Sequence, residues 1–276
     1  MESKFNCPET FLKENQQFRA FLYSDYNIEP HYHDLYEMNI VLKGTGTHQI
    51  EDCSFRVRSG DVFVIPPKIV HSYYHTDQLD VFHILFRKSF LSNHQEAYQI
   101  PGFLQLTEIE PFLRQNFSKA RFLHLSQKEL LHLEIELSVL DDKAYNETDY
   151  SLLKYHTLWK LICLFSALLH RQLQQPEKKL RYENQILQSL ETIHRHYGEK
   201  ITIDSLCKAV FMSRSTFLRS FQHICGCSPI DYLNRYRKER AWELIEQGML
   251  SKTEIAHLCG FYDLSHMERM IKQTIQ

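Results

Sequence analysis

The chain has 276 residues, of which 43% are hydrophobic, and a formal net charge of −2. This length and apolar content exclude a disordered or fibrous chain and predict two or three globular domains. The charge is uneven, because residues from Glu177 onward carry 15 Lys+Arg against 12 Asp+Glu, whereas earlier residues carry 17 against 22. A mildly basic C-terminal part on an acidic N-terminal part indicates a nucleic-acid reader joined to another domain, although the excess alone is weak evidence.

Seven cysteines are scattered along the chain, and only Cys225 and Cys227 lie close together. Their spacing does not match a zinc ribbon, and an odd number of cysteines without a recognisable signal peptide predicts reduced thiols. Residues 158–169 form an apolar run, but Lys160 interrupts it and the run is too short to span a bilayer. We therefore expect a cytoplasmic protein that has no membrane partner.

Short runs of β-branched and aromatic residues fill the first 90 residues. Turn residues separate them, for example at Lys43-Gly44, Ser59-Gly60 and Pro66-Pro67. Several short strands at even spacing predict a small β-barrel or jelly roll. The predicted strands are residues 18–23, 36–42, 46–50, 53–57, 61–65 and 81–86.

Two helical patterns follow, in a connector that we place at residues 91–176. Ser126 to Glu129 has the sequence of a capping box, and a leucine stripe continues from it to Leu140. Residues 149–174 form the second pattern. These helices could pair between the subunits of a homodimer or cover the barrel within one chain, and the sequence favours neither arrangement. The polar residues 174–179 are the clearest linker.

A helix-turn-helix pattern lies in the last hundred residues. Apolar residues from Ile203 to Val210 have helical spacing. Ser213 then provides an N-cap for a second helix, which Gly226 ends. Phe217 and Phe221 are four residues apart, so both can be buried on one side of that helix. Two short helices joined by a tight turn, the second with a polar and basic outer face, are typical of DNA-binding proteins.

The same arrangement recurs near the end of the chain. Residues 252–261 are predicted as helix and turn, and residues 263–273 as a second recognition helix. Arg219 and Arg269 hold the same place in the two units. A long amphipathic helix is predicted between the units, over residues 230–247.

Three stretches of this region resemble the AraC/XylS family of transcription regulators: SRSTFLRSFxxxxGxSP, RKERAWELI and IAxLCGFYDLS. The resemblance covers about the last hundred residues, which we assign to a domain at residues 177–276. It implies two helix-turn-helix units joined by a linker helix, which enter successive major grooves on one face of double-stranded DNA. The expected partners are promoter operator DNA and, if the protein is an activator, RNA polymerase.

The family pattern places base-contacting side chains near the start of each recognition helix. Arg219 or Arg269 could form two hydrogen bonds to a guanine, and Glu268 could accept one from a cytosine amino group. Any single polar residue here could equally be only a solvated surface group. The predicted base contacts are Ser215, Leu218, Arg219, Leu264, Ser265, Glu268 and Arg269. The predicted phosphate contacts are Lys208, Arg214, Thr216, His266 and Lys272.

The second unit departs from the family pattern. Met267 and Ile271 stand where relatives usually have phenylalanines. The sequence also stops at Gln276, before the glycine-x-x-proline continuation and last helix of the family. We therefore expect the second unit to be looser than the first, or the chain to be shortened at its end.

A second resemblance lies within the predicted barrel. The pattern H-x-H-x3-E-x6-G, the first cupin motif, is matched by His31, His33, Glu37 and Gly44. The second cupin motif, G-x5-P-x-G-x2-H, is matched by Gly60, Pro66 and His71. Lys68 replaces its middle glycine and His75 its final asparagine. Cupin barrels occur in sugar-sensing members of the AraC family, so the two resemblances support each other.

The cupin residues have the spacing of a metal site. On a strand His31, His33 and Glu37 would face one side, and His71 would come from a neighbouring strand. Three imidazoles and one carboxylate suit zinc, nickel, iron or manganese. Alternatively, the same residues only line a sugar pocket through hydrogen bonds.

Aromatic side chains near the proposed mouth of the barrel would suit the faces of sugar rings, although core packing accounts for any one of them equally well. The predicted effector contacts are Tyr32, Tyr36, Tyr73 and His75.

The sequence thus predicts an α+β multidomain protein: a cupin or jelly-roll barrel at residues 1–90, the helical connector, and an all-α domain with two helix-turn-helix units. We expect a sequence-specific transcription regulator, not an enzyme, that senses a small molecule such as a sugar or sugar phosphate. Two alternatives remain open, a metal-dependent cupin enzyme fused to a DNA-binding domain and a ligand-free regulator controlled by a protein partner.

Overall fold

The computed structural model describes residues 5–6, 12, 16–92, 94–119, 121–142, 151–174 and 182–272. The chain divides into two compact units, residues 1–175 and 176–276. The helices of the predicted connector belong to the first unit, together with the strands. Of the predicted linker, only Gln174 lies within the described residues.

The first unit is built on one sheet of eight strands. The strands are β1 (Phe5–Asn6), β2 (Phe18–Tyr23), β3 (Ile28–Tyr32), β4 (Tyr36–Ile50), β5 (Cys53–Arg58), β6 (Asp61–Ile65), β7 (His71–Phe86) and β8 (Leu123–His124). Their order is β1-β3-β7-β4-β6-β8, with β2 also paired to β7 and β5 to β4. The predicted fold class is confirmed, although the pairing among the described strands does not close into a ring.

Strand β4 continues through Lys43-Gly44, where a turn was predicted. Gly44 has a φ of +76°, and the register between β4 and β7 shifts around it, so the glycine forms a bulge rather than a turn. A Cβ added there would lie 2.2 Å from the carbonyl oxygen of Gln78. The bulge lets one strand replace the two short strands that the sequence predicted. Strand β3 was not among the predicted strand ranges, although His31 and His33 were expected to lie on a strand. It contains His31 but ends at Tyr32, before His33.

The two faces of the sheet bury different sets of residues, because successive side chains of a strand point to opposite sides. Met38, Ile40 and Val62 lie on the face that packs against helices. Val41 and Phe63 lie on the other face, in a second apolar cluster that includes Tyr73. Full burial of such side chains contributes roughly 1.5–3 kcal/mol each.

Four α-helices in the described part of the first unit accompany the sheet: α1 (Lys88–Ser92), α2 (Glu110–Phe117), α3 (Gln127–Leu140) and α4 (Ser151–Leu173). A 3-10 helix (Gln95–Gln99) and a π-helix (Gln105–Ile109) lie between α1 and α2. The capping box of Ser126 and Glu129 begins α3 as predicted. The leucine stripe of α3 is buried in the core between helices and sheet.

Helix α4 is the one helix in the described residues that is long and apolar enough to cross a membrane. Its residues Leu158, Leu161, Phe165 and Leu169 are buried in the same core as the sheet. Lys154 on this helix is also buried, and its Nζ lies 3.1 Å from a carboxylate oxygen of Asp142. These contacts are those of a core helix in a globular domain.

The second unit is helical throughout its described residues. Its helices are α5 (Glu183–His196), α6 (Ile203–Ala209), α7 (Arg214–Cys225), α8 (Pro229–Gln247), α9 (Lys252–Leu258) and α10 (Leu264–Lys272). Ser213 caps α7 by accepting a hydrogen bond from the backbone of Thr216, and Gly226 ends it with a φ of +82°. Phe217 and Phe221 are fully buried. The two predicted helix pairs are therefore α6–α7 and α9–α10, with α8 between them.

Candidate DNA-binding surface and polar cluster

The predicted DNA contacts lie on α7 and α10, apart from Lys208 on α6. The exposed ones are Lys208, Arg214, Ser215, Arg219, Ser265 and Arg269. Those that are partly buried are Thr216, Leu218, Leu264, His266 and Glu268. The side chain of Lys272 lies outside the described residues. The exposed members are polar, so the structure makes both recognition helices accessible to a ligand.

Several of these side chains already have partners within the protein. Arg214 pairs with Asp204 at 2.7 Å, and Glu268 lies 3.7 Å from Nζ of Lys252. The ring of His266 accepts a hydrogen bond from the backbone of Tyr262, near the start of α10. Arg214 and Glu268 would have to exchange these exposed partners for DNA, which costs little because such surface pairs contribute about 0–1 kcal/mol.

Arg219 and Arg269 differ from those residues. Among the described residues neither guanidinium has a carboxylate partner, and both side chains are exposed. An arginine in this state can form two parallel hydrogen bonds to a guanine or to a phosphate without breaking an existing ion pair. These two residues are therefore the strongest candidates for base recognition on the two helices.

A buried polar cluster lies in the first unit, on the face of the sheet opposite the helices. His33, Glu37 and His71 each offer one ligand atom, and these atoms lie within 4.8 Å of one another. Oε2 of Glu37 is 2.7 Å from Nε2 of His33 and 3.1 Å from Nε2 of His71. The ring of His31 lies next to the cluster, with its centroid 4.3 Å from that of His71.

Backbone carbonyls fix the orientation of the two histidine rings. Nδ1 of His33 lies 2.9 Å from the oxygen of Leu35, and Nδ1 of His71 lies 2.9 Å from that of Ile69. A carbonyl oxygen only accepts, so each Nδ1 carries the hydrogen and each neutral ring presents a lone pair at Nε2. Both Nε2 atoms face Glu37, which also only accepts, so either a protonated ring donates to Glu37 or a cation lies among these atoms. The donor set fits a divalent transition metal.

The charges of the cluster stabilise one another. Burial alone would raise the pKa of Glu37, but hydrogen bonds from His33, His71 and His83 hold it well below its ordinary value. Burial alone would lower the pKa of His33, but the hydrogen bond and charge of Glu37 raise it. Burial and the neighbouring His71 lower the pKa of His31 to about 4, so His31 is neutral near pH 7.

Sequence motifs missed three further polar residues on this face. His83 on β7 hydrogen-bonds through Nδ1 to the other oxygen of Glu37. Asn39 donates a hydrogen bond to the hydroxyl of Tyr73 at 3.0 Å. His48 stacks on Tyr73 with a centroid distance of 4.7 Å. The only sequence signal for His83 was a histidine at an inward position of an apolar strand.

Some buried atoms of these residues lack a hydrogen-bond partner within the described part of the chain: Oδ1 of Asn39, Nε2 of His48 and Nε2 of His83. Unpaired buried polar atoms each cost roughly 1–3 kcal/mol. A bound polar molecule would satisfy these atoms.

The structure separates the predicted effector contacts. Tyr73 is buried beside the polar cluster. Tyr36 lies on the other face of β4, where it stacks on Phe86 at 5.7 Å and belongs to the core with the helices. Tyr32 is partly buried at the end of β3, next to His31. His75 is exposed and has a φ of +49°. Of these four residues, Tyr73 contacts Asn39 and His48 on the face of the cluster. Tyr36 is directed to the opposite face because it is adjacent to Glu37 on a strand.

Comparison with known proteins identifies both the sheet unit and the helical unit. Residues 19–136 match the family described as "AraC-like ligand binding domain", and residues 206–276 match "Helix-turn-helix domain". The HTH-type transcriptional activator RhaS of Klebsiella pneumoniae is 26% identical over 277 residues, covering 96% of this chain and 93% of that protein. RhaS of an Enterobacter species is 25% identical over 246 residues, covering 88% and 83%.

One solved structure similar to this chain is the DNA-binding domain of AdpA in complex with a target DNA. It is 26% identical and covers 33% of this chain and 81% of that domain, with a TM-score of 0.32.

A ligand-binding sheet domain followed by paired helix-turn-helix units defines a DNA-binding transcription regulator. The two family matches on one chain make the assignment specific. The chain belongs to the AraC family.

Proposed function

We propose that the protein is a cytoplasmic, sequence-specific transcription activator, which binds operator DNA through α7 and α10 and senses a small polar molecule, a sugar or a sugar phosphate, in the sheet unit. The observation that carries the proposal is the pair of exposed arginines without carboxylate partners, Arg219 and Arg269, at matching places in the two units. The similarity to RhaS, a transcriptional activator, supports activation rather than repression, and with it a contact with RNA polymerase. The RhaS similarity also favours a sugar as effector.

The experiment has two arms. Purified protein is used to select operator sequences from random DNA, and operator affinity is then measured with and without each member of a sugar panel. The proposal expects a selected sequence and a sugar that changes its affinity, since an effector acts only by binding two states unequally. Turnover of a sugar without any change in DNA affinity would instead support a metal-dependent cupin enzyme.

The polar cluster is proposed to hold one divalent transition metal, zinc, nickel, iron or manganese. Its ligands are His33, Glu37 and His71, with His31 as the adjacent fourth group. The metal would supply a Lewis-acidic centre that can coordinate effector oxygens. His83 would orient Glu37 through Oε1.

Metal analysis tests this site directly. Protein purified without chelators should contain about one metal per chain, and the His33→Ala/His71→Ala variant should lose it. Chelation should lower the melting temperature by about 5–10 °C, because a ligand that binds only the folded state stabilises it. His223→Ala/His257→Ala, which removes two exposed histidines outside the cluster, is the matched control. Metal-free wild-type protein after supplementation, or equal metal in the variant, would contradict the assignment.

A homodimer is also proposed, formed through α3. Leu131 and Ile135 are four residues apart on this helix and are 64% and 74% exposed, whereas the buried leucine stripe faces the sheet. Sedimentation should give a dimer for the wild type and a monomer for Leu131→Glu/Ile135→Glu. A wild-type monomer at micromolar concentration would exclude this part of the proposal.

A further inference from the structure

The first unit contains a second polar pocket, separate from the polar cluster. It has a volume of about 390 Å³ and lies where β5, β6 and β8 meet. None of its lining residues belongs to the His33–Glu37–His71 set. The residues that matter for its chemistry are Arg56, Arg58, Asp61, Phe122 and His124.

The pocket contains two arginines and one carboxylate, that of Asp61. Arg56 and Arg58 are two residues apart on β5, so they point to the same side of the strand, and both are exposed. Among the described residues neither guanidinium forms an ion pair or a hydrogen bond. Surface arginines are usually paired or solvated, but here two of them line one concave site of ligand size.

The one carboxylate in the pocket is already engaged. Oδ1 of Asp61 lies 2.8 Å from Nδ1 of His124, and Oδ2 accepts a hydrogen bond from the backbone of Arg58 at 2.8 Å. Asp61 is buried, and its two bonds hold the turn between β5 and β6 and the ring of His124. Its carboxylate therefore does not face a ligand. Since Asp61 fixes the hydrogen of His124 on Nδ1, the second ring nitrogen is left to face other groups.

We propose that this pocket binds a small organic anion, a phosphate monoester or a carboxylate, which Arg56 and Arg58 hold through charge-assisted hydrogen bonds. A planar guanidinium matches both groups in geometry. Phe122 forms an apolar wall against which the carbon skeleton of the ligand packs. The volume accommodates a molecule of monosaccharide size.

The pocket is joined to the C-terminal end of α4 by one side chain. Gln172 accepts a hydrogen bond from the backbone of His124 at 2.9 Å and donates one to the carbonyl of Phe122 at 3.2 Å. Both backbone groups belong to the segment that forms the pocket wall. An anion that orders this segment is therefore expected to order the last turn of α4, which precedes the linker to the helical unit.

Calorimetric titration tests the binding, with three probes: inorganic phosphate, a hexose 6-phosphate and a hexuronate. The matching uncharged hexose shows whether the affinity comes from the anionic group of the ligand or from its sugar ring. At least one anion should bind, and the Arg56→Gln/Arg58→Gln variant should bind it about ten- to a hundredfold more weakly. Higher salt should weaken the wild-type affinity, since the arginines are exposed.

Lys128→Gln/Lys200→Gln is the matched control, because it removes two exposed charges that do not line the pocket. Its anion affinity should equal that of the wild type. Equal weakening in both variants, or no binding of any probe at millimolar concentration to the wild type, would overturn the proposal. Because the readout is ligand binding alone, failure of the proposed operator binding would leave this result unaffected.

Hydrogen exchange tests the link through Gln172. The bound anion should slow amide exchange in the last turn of α4, and Gln172→Ala should abolish this protection while the anion still binds. Unchanged protection in the variant would show that the pocket and the helix end are not connected through this side chain.

Discussion

The two helix-turn-helix units share a backbone turn but fill it with different residues. Between α6 and α7 the turn residue is Phe211, with a φ of +54°, and between α9 and α10 it is Gly260, with a φ of +73°. The two turns also have the same backbone hydrogen bond. The N–H of Met212 donates to the carbonyl of Cys207, and the N–H of Phe261 donates to that of Ala256. The left-handed conformation is therefore a property of the motif and not of glycine.

The surroundings decide which residue each turn accepts. The side chain of Phe211 is 97% exposed, so its Cβ meets open space. A Cβ on Gly260 would lie 2.7 Å from the carbonyl oxygen of Tyr197 and from Nη2 of Arg237. Arg237 in α8 donates to the carbonyl of Tyr197 at 2.8 Å, and so ties α8 to the end of α5 directly beside the second turn. The second unit is thus constrained where the first is open.

The largest losses of stability are expected from changes in the cores of the two units. Phe217→Ala should lower the free energy of unfolding by about 3–5 kcal/mol, and Met267→Ala, at the matching place, by about 2–4 kcal/mol, because the phenylalanine loses more buried area and leaves a larger cavity. Both side chains are fully buried. Urea denaturation measures the two values, and a larger loss for Met267→Ala would contradict the comparison.

Exchange of the turn residues should give effects of opposite sign. Gly260→Ala should destabilise the second unit by about 2–3 kcal/mol, since it combines a left-handed alanine with a backbone clash. Phe211→Gly should stabilise the first unit by about 0.5–1 kcal/mol, because it relieves the same backbone strain without loss of packing. Thermal unfolding of both variants tests this prediction, and destabilisation by Phe211→Gly would show that the exposed ring has a partner.

The expectation that the second unit is looser remains a prediction. Phe221 is fully buried, whereas its counterpart Ile271 is partly buried. Amide exchange should therefore be faster in α10 than in α7. Equal protection would indicate that Arg237 and the tight turn compensate for the smaller side chains.

Local signals predicted the local structure of the chain well. Ser213 and Gly226 bound α7, and the strand at residues 61–65 was predicted to the residue, because caps and alternation act over a few positions. Strand β4 was divided wrongly at Gly44, since a glycine in a bulge resembles a glycine in a turn until the pairing with β7 is known. That pairing joins distant residues and leaves no local trace.

The candidate site was predicted only in part, because some of its residues come together through pairing between distant strands. His33 and Glu37 are four residues apart and were found from their spacing, whereas His83 lies 46 positions from Glu37 and meets it only through the register of β7 on β4. Tyr36 was misplaced although the sequence could have excluded it, because its neighbour Glu37 points to the opposite side of the strand. The anion pocket is lined by residues of β4, β5, β6 and β8 and had no sequence motif.

The central claim is that two equivalent helices read DNA side by side, and base-substitution profiles of Arg219→Ala and Arg269→Ala on the selected operator test it most directly. Each variant should lose about 1–3 kcal/mol of binding and tolerate every base at one position, and the two positions should lie about 10 bp apart. Wild-type affinity and discrimination in both variants, or loss of discrimination at one shared position, would contradict the claim.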